Sequence, residues 1–103
     1  MSARLPIDRD ALIRLCRRWN ITRFELFGSV LRDDFKADSD VDVMVTFAPG
    51  VHFTLASYQA LQQELVGLLG RQVDFVTRRA VERDRNPYRR NAILTTAEDL
   101  YAA

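Results

Sequence analysis

Cysteine is nearly absent. Cys16 is the one thiol in 103 residues, so no disulfide can close within the chain, and a reducing compartment is expected. Lysine is as scarce: Lys36 stands alone among 15 basic residues, the rest being arginine. That bias can reflect genome composition, or it can serve phosphates and carboxylates, which a guanidinium fork grips at two points. A net charge of +1 leaves no bulk positive charge to hold nucleic acid, so direct nucleic-acid binding is not expected. No apolar run approaches the ~20 residues of a membrane-spanning helix, and Met1-Ser2-Ala3-Arg4 leads into no signal-like segment. No membrane association and a cytoplasmic location are expected. His52 has no second histidine to join it, which excludes a zinc site built on histidines. The length leaves no room for two independent cores, so residues 1–103 read as a single domain.

What is present concentrates between Phe27 and Phe47. From Asp40 to Phe47 the chain alternates: Val41, Val43, Val45 and Phe47 share one side of a strand, and Asp40, Asp42, Met44 and Thr46 share the other. Two carboxylates on one strand face repel each other, and a cation between them relieves that repulsion. Upstream, a strand over Ile21–Phe27 stops at Gly28-Ser29, where a short helical turn to Arg32 is predicted. Glycine lets a phosphate approach the backbone, serine offers a hydroxyl, and the free N–H groups of such a turn favour an anion. Arg32 and Lys36 follow and can neutralise phosphate charge. One stretch thus holds a phosphate cradle and a pair of metal-binding carboxylates, the equipment for a nucleoside triphosphate.

The remaining chain supplies a scaffold. Asp8 can cap a helix from Arg9 to Trp19 with Leu12, Leu15, Cys16 and Trp19 on its apolar stripe. A second helix, Thr54 to Leu69, carries Leu55, Tyr58, Leu61, Leu65 and Leu68, and Gly70 stops it. Gln72–Thr77 is a third strand. Six arginines follow between Arg78 and Arg90, broken at Asn86-Pro87, and an amphipathic piece from Tyr88 to Tyr101 ends the chain. Strands separated by helices predict an α/β (α+β) fold, a short mixed sheet with helices against it.

Asp74 sits alone on the third strand between Val73 and Phe75. If that strand lies beside Asp40–Phe47 in register, Asp74 joins Asp40 and Asp42. Three acids on neighbouring strands suit a two-metal Mg²⁺ site, with the third acid also taking the proton of an attacking hydroxyl.

The spacing of Gly28-Ser29 to Asp40-x-Asp42 resembles the signature of the nucleotidyltransferase superfamily related to DNA polymerase beta. The segment Asp38–Val45, the later Val73-Asp74-Phe75-Val76, Asn86-Pro87-Tyr88 and the short length are similar to its minimal nucleotidyltransferases (MNT). That resemblance spans about Ile7 to Tyr101. It implies a polymerase beta-like fold, ATP as co-substrate and Mg²⁺ as metal. Gly28, Ser29 and Arg32 would bind the triphosphate, and Asp40, Asp42 and Asp74 the metal. It also implies transfer of AMP to a protein tyrosine, by an antitoxin that neutralises and assembles with a HEPN-domain ribonuclease toxin. Leu31 and Asp33 flank Arg32 where that group often has a small residue and a glycine. Two other readings stand beside this one: a contact-only antitoxin, and transfer to a small molecule such as an aminoglycoside. The small-molecule reading lacks a second domain to enclose its acceptor.

Overall fold

The computed structural model describes residues 7–31 and 40–103. Helix α1 spans Arg9–Arg18, and the Asp8 carboxylate caps it by accepting from the Ala11 N–H at 3.1 Å. Asp10 lies in its first turn and Arg17 and Arg18 in its last, so both ends suit the helix dipole. Asn20 adopts a positive φ of 58° and turns the chain into strand β1, Ile21–Phe27. Helix α2, Leu55–Leu69, starts at Thr54, whose side chain accepts from Ser57 N, and stops at the left-handed Gly70.

The buried row of α2 is Leu61, Leu65 and Leu69. The expected stripe began at Leu55 and ended at Leu68, yet Leu55 is 74% exposed and Leu68 is half-buried. At ~100° per residue Leu55 falls about 80° from the centre of the buried row. Tyr58 is near that centre, and its ring stacks on Phe75 at 4.3 Å.

Strand β2, Val41–Phe47, lies between β1, antiparallel to it, and β3, Val73–Thr77, parallel to it. Helices α3, Arg78–Glu82, and α4, Pro87–Thr96, follow, and then a fourth strand, β4, Glu98–Ala102. The order is β3-β2-β1-β4, a mixed sheet as predicted. The amphipathic piece from Tyr88 to Tyr101, expected as one helix or two short pieces, is a helix followed by a strand. Antiparallel pairing with β1 and the burial of Leu100 override the local pattern.

One sheet face carries Phe24, Leu26, Val41, Val43, Val45 and Phe75, packed with Leu12, Leu15 and Cys16 of α1 and Leu61 and Leu65 of α2. Trp19 Nε1 donates to Glu64 at 2.9 Å and ties α1 to α2. The outer edge of β3 is occupied: Gln62 Nε2 donates to Val73 O at 2.5 Å and the Tyr58 hydroxyl to Phe75 O at 3.4 Å.

On the opposite face α3 packs on β2, β3 and α4, and Met44 and Val81 are buried there. Glu25 also lies there, 2% exposed, and Arg78 Nη1 donates to both of its carboxylate oxygens at 2.8 and 2.9 Å. This pair fastens the start of α3 to β1.

Arg23 Nε lies 3.4 Å from the same carboxylate, so removal of Arg78 leaves Glu25 with one weaker partner. Arg78→Ala should destabilise the protein by about 2 kcal/mol, the loss of hydrogen bonds to a buried charged group, read as a lower midpoint in urea. Burial also pushes the Cys16 thiol from 9.0 up to about 12. Its folded value is the raised one, so this contribution is complete below pH 9.0 and lost as pH rises toward about 12. Cys16→Ala should show a shallower loss of stability over that window than the wild type.

Candidate functional site

Strand β1 delivers its last residue, Phe27, directly opposite Asp42 on β2. The next four residues, Gly28–Leu31, form a 3-10 turn, and Val30 at 0% exposed pins that turn into the core. Gly28 has a φ of 76°, a conformation an L side chain rarely adopts. The turn also presses on Asp42: a Cβ added at Gly28 would overlap Asp42 Oδ2 and lie 3.2 Å from its Cγ.

On the other side of β2, Asp42 stands opposite Asp74 in the parallel ladder. Neighbouring strands run ~4.8 Å apart, and register partners share a face. Asp42 and Asp74 are therefore adjacent, on the face away from the main core. Asp42 is half-buried and Asp74 exposed. Asp40 is exposed immediately before β2, one alternation from Asp42. The end of β1 and the beginnings of β2 and β3 thus bring the turn and the three acids to one end of the sheet. Among the described residues no group of three or more His, Cys, Asp or Glu side chains stands arranged to hold a metal ion. The donor set is nonetheless the hard oxygen set that Mg²⁺ takes, commonly one or two carboxylates with phosphate and water. A side chain at Gly28 would fall on the Asp42 carboxylate, so the glycine keeps room for that carboxylate beside the turn. Arg32, Lys36, Asp33 and the Ser29 side chain lie outside the described residues.

Sequence reasoning missed two features of this face. One is Glu25, whose signal is a charge between Phe24 and Leu26, both wholly buried. The second is a cavity of ≈ 160 Å³ beside the acids, lined by Phe27, Val76, Ala80, Val81, Asp84, Arg89 and Ile93.

Residues 9–99 match the family model described as a nucleotidyltransferase domain. A solved structure named as a candidate minimal nucleotidyltransferase is 38% identical, with a TM-score of 0.65, covering 87% of this chain and 86% of its own. The chain belongs to the minimal nucleotidyltransferase family. The protein adenylyltransferase MntA of Thermococcus cleftensis is 34% identical over 68 residues, 66% of this chain and 67% of that protein. A solved complex of a tri-AMPylated Shewanella oneidensis HEPN toxin with an MNT antitoxin matches at 20% identity and a TM-score of 0.59. The match covers 92% of this chain and 70% of that chain. At that identity the likeness concerns the fold, which is the polymerase beta-like nucleotidyltransferase fold.

Gly28→Ala combines a left-handed backbone, which costs roughly 1–2 kcal/mol for an L residue, with displacement of the Asp42 carboxylate. A lower thermal midpoint and a loss of nucleotide binding larger than the stability loss accounts for are expected, measured by calorimetry and by titration with an ATP analogue.

Proposed function

We propose that this minimal nucleotidyltransferase transfers AMP from ATP to a tyrosine hydroxyl on a HEPN-domain ribonuclease toxin, with which it assembles in the cytoplasm and which it thereby neutralises. The observation that carries this reading is the adjacency of Asp42 and Asp74 with Gly28 packed against Asp42. The relatives named as a protein adenylyltransferase and as an MNT antitoxin bound to an AMPylated HEPN toxin support the acceptor class.

In this reading Gly28 and Ser29 seat the triphosphate, aided by Arg32. Asp40, Asp42 and Asp74 hold Mg²⁺, which supplies charge neutralisation on the phosphates when bound. Asp74 has a second task. A tyrosine hydroxyl ionises near pH 10 in water, so at neutral pH its proton must be taken as it attacks. The exposed Asp74 carboxylate accepts that proton. The phenolic oxygen then bonds to the α-phosphorus of ATP, the bond from that phosphorus to the bridging oxygen breaks, and pyrophosphate leaves. A site lying on a sheet face, with Asp40 and Asp74 exposed, suits a macromolecule that brings its own wall. A small acceptor would need an enclosure.

The test is the intact mass of the partner after incubation with ATP and Mg²⁺. Wild type should add whole AMP units. Asp74→Asn should bind a slowly hydrolysed ATP analogue within about threefold of wild type yet transfer at least a hundredfold more slowly, the size of a lost general base. Neutralisation of the partner without any mass change would make the protein a contact-only antitoxin.

A further inference from the structure

The cavity beside the acids has no role in the reading above. Its sheet walls are Phe27 and Val76, and its helical walls Ala80, Val81 and Ile93. Phe27 is the register partner of Asp42 and the residue before Gly28; Val76 follows Asp74 by two positions and shares its face. The cavity therefore opens next to the phosphate turn on the same side of the sheet. Its polar lining is Asp84 and Arg89.

Asp84 is held in place by three contacts. Its Oδ1 accepts from the Asn86 N–H at 3.0 Å, its carbonyl accepts from Arg90 Nη1 at 2.9 Å, and Arg89 Nε lies 3.6 Å from its Oδ2. A carboxylate has about four acceptor sites, so this one retains capacity for a donor arriving from the cavity. The Arg89 side chain is 71% exposed, and from its place beside Asp84 it can swing over a flat group.

Resting on the nucleotidyl-transfer reading, we propose that this cavity seats the base of the bound nucleotide, with Asp84 accepting from its exocyclic amino group and Arg89 closing over its ring. Apolar walls with a fixed acceptor ask for a flat ligand that carries an N–H donor at its edge, which an aminopurine is. The tether also fits: a base is joined through its sugar to the phosphates at Gly28, and the first wall of the cavity is the adjacent residue. A tyrosine ring from the acceptor would direct its hydroxyl toward Asp74 and leave Asp84 without a donor. An arginine plane stacks readily on a base.

The experiment measures Mg²⁺-dependent binding of slowly hydrolysed analogues of ATP and of inosine triphosphate, together with tripolyphosphate. Inosine has an oxo group where adenine has the amine. Wild type should prefer the adenine analogue by about tenfold, one good hydrogen bond to a charged group. Asp84→Asn should narrow that preference to within about twofold and leave tripolyphosphate binding unchanged. Ile93→Trp, which fills the cavity, should weaken the adenine analogue by about tenfold and spare tripolyphosphate. Equal binding of both analogues by wild type, with no effect of Ile93→Trp, overturns the assignment while tripolyphosphate binding still upholds the phosphate turn. Normal nucleotide binding by Ile93→Trp with transfer to the partner lost would give the cavity to the acceptor ring instead, and that also overturns it. Failure of wild type to bind any triphosphate would bring down the nucleotide reading itself.

Discussion

Everything at this site depends on the register of β2 against its two neighbours. Side chains alternate along a strand, so a slip of one residue would turn Asp42 into the core and expose Val41 and Val43. The core forbids that slip. Val41, Val43 and Val45 are all fully buried against α1 and α2, and returning three valines to water would cost several kcal/mol. The apolar face therefore holds the polar face in place, and the acids inherit their alignment from valines whose side chains lie on the other side of the sheet.

The two carboxylates meet because β2 and β3 are parallel, which requires a long crossover, and α2 supplies it. Its buried leucines press the crossover onto the sheet. The return of the chain after β3 is held differently, by the Arg78–Glu25 pair on the other face. A charged pair in a buried place contributes little net stability compared with an apolar one. It does choose a geometry, since Arg78, the first residue after β3, reaches Glu25 of β1 only by extending across β2.

Much of this was legible in the residues. The alternation of Asp40 to Phe47, the Gly70 stop and the Asp8 cap follow local rules that the structure obeys. The adjacency of Asp74 was legible only conditionally, because a sequence states which residues alternate but not which strands pair. What escaped was decided by tertiary contact. Strand β4 has five residues and one buried side chain, Leu100, too short a pattern to separate from a helix end. Leu55 matches a helical period but belongs to the wrong side of it. Glu25 became visible as a structural residue only when Arg78, 53 positions later, was seen to meet it. Gly28 was read as a place for close approach, and the group that approaches it in the chain itself is the Asp42 carboxylate.

The occupied edge of β3 has one more consequence. An open strand is a template on which another chain can assemble, and Gln62 and Tyr58 already hold two of the carbonyls such a chain would need. Growth of the sheet from this side must first lift α2 away. The same leucines that close the core thereby stand guard over the protein's solubility, and colloidal behaviour and folding stability share one helix.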